Sequence, residues 1–101
     1  MFIQIIDARL KDEGSWSELE QMGRRWDQEE AQRAPGFVSA DWVRDLKDSK
    51  HLIGLIRFES AEKAAENSKR PETNQFYQQM VALMEGEPRF IDGELVHSSQ
   101  R

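Results

Sequence analysis

Hydrophobic and polar positions follow two different periods along this chain. Residues 2–10 are dense in Ile and Phe and stop at the polar turn Lys11-Asp12-Glu13-Gly14, the profile of a first strand. Ser15-Trp16-Ser17-Glu18 has the form of a capping box. Trp16, Leu19, Met22, Gly23 and Trp26 then recur at helical spacing through a polar stretch ending near Ala34-Pro35-Gly36. Residues 37–46 and 52–58 are apolar-rich runs flanking Lys47-Asp48-Ser49-Lys50, which predicts an antiparallel hairpin with a short polar loop. Ser60 is placed to cap a short Ala-rich helix over 61–67. Pro71 suits the first turn of another helix, whose Phe76, Met80, Leu83 and Met84 share a face and which Gly86 and Pro88 end. Residues 89–97 predict a last strand and 98–101 a frayed tail.

The order β-α-β-β-α-β, with the second helical region broken in two, is the split βαβ arrangement of a ferredoxin-like α+β domain. Right-handed crossovers then give an antiparallel sheet in the order strand four, one, three, two, with helices on one face only. The other face is also apolar. In the third strand Leu52, Gly54, Ile56 and Phe58 point one way and Ile53 and Leu55 the other; in the first, Phe2 and Ile6 oppose Ile3 and Ile5. A symmetric copy of the chain is the simplest cover for that second face, so the pattern predicts a homodimer, a dimeric α/β barrel.

At 101 residues the chain accommodates one domain, spanning 1–101. Fourteen basic against 19 acidic residues, a net charge of -5, disfavour a phosphate-rich partner, so nucleic acid is not expected. The start, Met1-Phe2-Ile3-Gln4-Ile5-Ile6-Asp7, carries no basic region or cleavage site, and no apolar run approaches the roughly 18 to 20 residues of a membrane span. The absence of cysteine excludes disulfides and thiol catalysis. The expectation is a cytoplasmic protein without a membrane partner.

Self-sufficient catalytic signatures are missing: no Gly-rich phosphate loop, no Gly-x-Ser-x-Gly elbow, no His-Glu-x-x-His helix. His51 and His97 are the only side chains with near-neutral ordinary pKa values, and parallel strands three and four place them at opposite ends of the sheet. No metal site is expected, and His51 stands alone as a candidate pocket base. Arg57, near the end of an apolar strand, calls for a carboxylate partner, with Asp7 and Asp41 in reach. Arg70 and Glu72 suit a pair at the break between helices. Trp16 and Trp26 share the first helix's apolar stripe with Leu19 and Met22, which core packing explains. Trp42, between Asp41 and Val43, faces either a cavity or the dimer seam. Met80 and Met84 beside Phe76 are either lining for an adaptable pocket or ordinary gap-fillers.

The strand-to-helix passage Ile56-Arg57-Phe58-Glu59-Ser60-Ala61-Glu62-Lys63-Ala64-Ala65 and the following Asn67-Ser68-Lys69-Arg70-Pro71-Glu72 resemble the antibiotic biosynthesis monooxygenase (ABM) superfamily of dimeric α/β barrels, over nearly the whole chain. Within it the chain looks most like an uncharacterised bacterial branch that reads Arg-Phe-Glu-Ser, then Asn-Ser-x-Arg-Pro-Glu, then two aromatics, here Phe76 and Tyr77, before a Met and a Gly-ended helix.

That resemblance implies a cavity between sheet and helices for a hydrophobic, aromatic or polyketide-like molecule, oxygenated in some members without metal or flavin, so no cofactor is expected. Haem-degrading members need a His on the helix after the third strand, and residues 71–84 contain none. Quinone-forming members pair an Asn with a Trp and a Tyr near this helix; Asn67 and Tyr77 match, with Pro71 or Phe76 where a Trp is sought. Such chemistry needs an electron-rich substrate anion and a donor to stabilise it in a water-poor pocket, and Asn67, Tyr77 and Arg57 are the candidate donors. The expected ligand-binding set is Trp42, Arg57, Asn67, Phe76, Tyr77 and Met80, with Asn67, Tyr77 and His51 as candidate catalytic residues. Each has a plainer reading: Asn67 as a helix terminator, Tyr77 as a core aromatic with a wet hydroxyl, and the whole as a non-catalytic ligand-binding or protein-interaction domain.

Overall fold

The computed structural model describes all residues 1–101. Its elements run β1 (Phe2–Arg9), α1 (Ser15–Glu29), β2 (Phe37–Asp45), β3 (Asp48–Phe58), α2 (Ala61–Ser68), α3 (Pro71–Val81) and β4 (Arg89–Glu94). The sheet has the order β2-β3-β1-β4 with every neighbouring pair antiparallel, and it stays open. This is the ferredoxin-like α+β arrangement that the hydrophobic periods predict.

Inward-facing residues of β1 and β3 meet the apolar stripes of α1 and α3. Ile6, Leu10 and Leu52 are fully enclosed and join Ala8, Leu19, Met22, Met80 and Met84 in one cluster. Burying each such large side chain contributes about 1.5–3 kcal/mol. Ser60 caps α2 as expected, its hydroxyl accepting from the Lys63 amide, and Pro71 occupies the first turn of α3. Gly36 leads into β2 with φ of 68°, where a Cβ would stand 2.4 Å from that of Lys63, so both its backbone conformation and its approach to α2 require glycine.

Five local expectations are corrected. The hairpin loop is only Leu46-Lys47, because Asp45 accepts from the Lys47 amide (2.8 Å) and Asp48 from the Lys50 amide (3.2 Å), so side chains carry the polar run into β3. Leu46, read as part of a strand, is wholly exposed at the tip. Ser15 does not cap α1; it is buried inside the first turn, where Asp12 Oδ1 accepts from both its amide and its hydroxyl. Helix α3 stops at Val81, and Leu83 and Met84 leave it because the Lys11 amide bonds to Leu83 O (2.9 Å) and the Glu85 amide to Arg9 O (2.7 Å). Strand β4 ends at Glu94, opposite Phe2, and one further backbone bond, from the Leu95 amide to Met1 O (2.9 Å), follows it.

The helix-free face carries half-buried Ile3, Ile5, Ile53 and Leu55, with Val43 and Ile91 exposed beside them. No helix is long and apolar enough to cross a membrane.

Candidate functional site

Between the sheet and α1 and α3 lies an apolar cavity of about 200 Å³. The sheet supplies its floor through Ile6, Ala40, Trp42 and Ile56, and the helices its roof through Met22, Trp26, Phe76 and Met80. Trp26 and Phe76 meet edge to face with centroids 5.3 Å apart, which stiffens the wall where α1 approaches α3. At the rim stand the exposed Asp27, Tyr77 and Phe90, the last two with ring centroids 5.7 Å apart. Asp27 is the one carboxylate among the lining residues.

Trp42 is held in the floor by what lies beneath it. Its strand partner is Gly54, whose missing side chain leaves the space that the indole fills. The question left by the strand pattern is thus answered: Trp42 faces the cavity, on the helix side of the sheet.

The polar end of the cavity is built where α2 passes into α3. Asn67, in the last turn of α2, is buried, with 5% of its surface exposed. Its Oδ1 accepts from the Thr73 hydroxyl at 2.8 Å. Thr73 Oγ1 accepts from Arg70 Nη1 at 3.2 Å, and Arg70 Nη2 reaches both carboxylate oxygens of Glu30 at 3.2 and 3.5 Å. Glu30 is itself buried at the end of α1. Arg70 lies 3.7 Å from Glu72 as well, the pairing expected at the helix break, but Glu30 is the nearer and more deeply buried partner. Asn67 Nδ2 makes no hydrogen bond within the protein and is not fully enclosed, unlike the unpartnered Ser39 Oγ, and Asn67 is among the residues that line the cavity. Asn67 thus does more than end a helix.

Of the residues expected at the site, Trp42, Asn67, Phe76, Tyr77 and Met80 line this one cavity. Arg57 and His51 do not. Both alternate onto the helix-free face of β3, since Leu52, Ile56 and Phe58 occupy the inward positions. Arg57 Nη1 lies 3.3 Å from Asp41 Oδ2, one of its two expected partners, as a half-exposed ion pair. His51 is bracketed by carboxylates, with Nδ1 2.8 Å from Asp45 Oδ2 and Nε2 2.7 Å from Asp7 Oδ1. These bonds, that to Asp45 foremost, raise the imidazole pKa above its ordinary value, and the His51 contact in turn lowers that of Asp45. An imidazole with both nitrogens engaged, on the opposite side of the sheet, is not placed to act as a base in the cavity.

Gln4, Asp27, Thr73 and Phe90 line the cavity without having been expected there, and Trp26, expected in the core, forms part of its wall. Gln4 carried a signal: it is the one polar residue among the inward positions Phe2, Gln4, Ile6 and Ala8 of β1. Thr73 carried none, since its role depends on the angle between α2 and α3.

No protein-family model matches the chain, and no curated protein matches its sequence. Solved structures do match. The monooxygenase ActVA-Orf6 of Streptomyces coelicolor, in complex with the ligand nanaomycin D, superposes with a TM-score of 0.83 at 16% identity, covering 99% of this chain and 91% of that one. SnoaB, a cofactor-independent oxygenase from Streptomyces nogalater, gives 0.79 at 12% identity over 96% and 94%. A protein from Nitrosomonas europaea, provisionally assigned to the antibiotic biosynthesis monooxygenases, gives 0.78 at 13% over 98% and 93%. The chain has the ABM fold, which it shares with the monooxygenase ActVA-Orf6 and with SnoaB, a cofactor-independent oxygenase.

Proposed function

We propose that this chain is a single-domain, cytoplasmic, homodimeric protein whose cavity binds a small aromatic molecule and oxygenates it with molecular oxygen, without metal or organic cofactor. The observation that carries the reading is the buried Asn67 amide at the wall of an otherwise apolar cavity. A donor fixed in a water-poor site stabilises a substrate oxyanion far better than water can, since it needs no reorganisation when the charge develops. The likeness to SnoaB and ActVA-Orf6 supports the reaction type.

In such a reaction a phenol-bearing methylene compound, an anthrone or a smaller relative, loses a proton to give an electron-rich anion. The anion reduces oxygen: the methylene carbon becomes a carbonyl holding one oxygen atom, and the second leaves as water with both methylene hydrogens. Asn67 holds the anion's oxygen, Trp42, Phe76 and Met80 exclude water from its rings, and Asp27 at the rim is the carboxylate nearest the entrance. A cavity of about 200 Å³ encloses one or two rings, benzene having been held in about 150 Å³. A larger polyketide-like skeleton protrudes past Tyr77 and Phe90.

The volume also favours a second reading. Ligand pockets usually measure roughly 300–1,000 Å³, and a smaller one suits a non-catalytic ligand-binding or interaction domain. Oxygen uptake by purified protein, with a panel of anthrones and hydroquinones and a chelator present, decides between them. Uptake above the protein-free rate that is lost in Asn67→Ala supports the oxygenase. Ligand binding without uptake anywhere in the panel supports the binding domain.

A further inference from the structure

We infer that Arg70 and Thr73 are positioning residues that set the Asn67 amide with its NH2 toward the cavity, so that the site selects ligands presenting a carbonyl or phenolate oxygen and rejects ligands presenting a donor. The inference deepens the proposed function and rests on that cavity being a ligand site. It follows from counting protons along the chain of contacts. A guanidinium has only donors to give, so Thr73 Oγ1 must accept at its 3.2 Å contact with Arg70 Nη1. A hydroxyl has one proton, and Thr73 sends it along the 2.8 Å contact to Asn67. Thr73 Oγ1 makes no other hydrogen bond, so the acceptor for its proton is the Asn67 atom it meets, which is the oxygen. A flipped amide would set its NH2 on the second lone pair of Thr73 Oγ1 and leave the hydroxyl proton without an acceptor, so the orientation that keeps its two N–H bonds for the cavity is the favoured one.

The far end of the relay is equally constrained. Arg70 Nη2 is held by Glu30 across both carboxylate oxygens, and Glu30 is 5% exposed and Arg70 largely enclosed. A buried carboxylate needs its cation, so the guanidinium has no reason to leave. A charge pair between the end of α1 and the start of α3 thereby dictates, through one hydroxyl, which face an uncharged amide shows to the cavity. The helix break at Lys69-Arg70 brings the four groups into line, with Arg70 the N-cap residue of α3 and Thr73 one turn on.

4-Nitrophenol tests this, because it is a single ring whose phenolate and phenol forms differ in visible absorbance. Titrated when bound to the wild-type protein, it should show a pKa below that in water. Thr73→Val, which removes the hydroxyl and keeps the shape, should raise the bound pKa by about one unit, a tenfold loss of preference for the anion, as expected on losing one charge-assisted hydrogen bond. Thr73→Ser should restore it. An unchanged bound pKa in a folded Thr73→Val protein overturns the inference. Neutron diffraction from the deuterated, ligand-free wild-type protein reads the relay without any probe. The Thr73 deuteron should point at Asn67 and both Asn67 amide deuterons at the cavity; the opposite amide orientation overturns the inference. Failure of 4-nitrophenol to bind while the neutron structure shows that orientation sinks the aromatic-ligand reading and leaves the relay standing.

Discussion

The indole of Trp42 occupies the space that a side chain on its strand partner Gly54 would take: a Cβ there would stand 2.6 Å from Cζ3 and 3.3 Å from the Ile6 Cβ. The cavity floor thus depends on a glycine in the middle of a strand, where glycine is otherwise a cost. Gly54→Ala should destabilise the protein by about 1–3 kcal/mol through overpacking. The same substitution in a Trp42→Ala background should cost much less, because the clashing ring is gone. Denaturant unfolding of the four proteins measures the coupling. Equal costs in both backgrounds would show that the ring does not depend on this glycine.

His51 on the opposite face predicts a pH dependence. Its pKa is raised from 6.5, chiefly by Asp45 and then by Asp7, so the stability it confers is complete below about 6.5 and is lost as pH rises through its higher folded value. Asp45, lowered from 3.8, contributes above that value and loses its contribution as pH falls through its folded one. The Tm difference between wild type and His51→Gln should therefore be largest between about pH 4 and 6.5 and shrink in alkaline solution. A difference that is constant with pH would mean that the imidazole stays neutral between its carboxylates.

Asn67→Ala should lower turnover of any substrate found among the anthrones and hydroquinones by roughly a hundredfold or more, the usual cost of one oxyanion donor. Asn67→Asp, which can still accept from Thr73 but has no N–H for the cavity, should be as inactive while folding normally. Steady-state oxygen uptake of both variants checks this, and full activity in either removes Asn67 from the chemistry.

The half-buried Ile53 and Leu55 on the helix-free face are the proposed seam of the homodimer. Leu55→Glu should convert a dimer into a monomer in light scattering, since a carboxylate without a partner in an apolar interface costs several kcal/mol. A wild-type protein that is already monomeric contradicts the dimer outright.

The architecture was legible because its cues are local. The period-2 runs of β1 and β3, the Leu19 and Met22 stripe, Ser60 before an Ala-rich helix and Pro71 after it each report on their own element, and together they specify the strand order. What misled were side chains competing with backbone. Asp45 and Asp48 pulled the loop into β3, and Asp12 took the capping role from Ser15. The aromatic and amide residues of the site stood out as types, whereas the inward or outward aim of Arg57 and His51 needed the strand register, and Thr73 needed the helix break. A one-residue difference in strand parity separates the cavity from the opposite face, which is why Ile56 lines the site and Arg57 does not.

The most direct test of the account is a crystal structure of the protein with 1-naphthol bound. The rings should lie between Trp42, Phe76 and Met80 with the naphthol oxygen within hydrogen-bond distance of Asn67 Nδ2. Naphthol bound only outside this cavity, or a cavity closed by the Trp42 and Tyr77 side chains with no ligand in it, would contradict the assignment of the site.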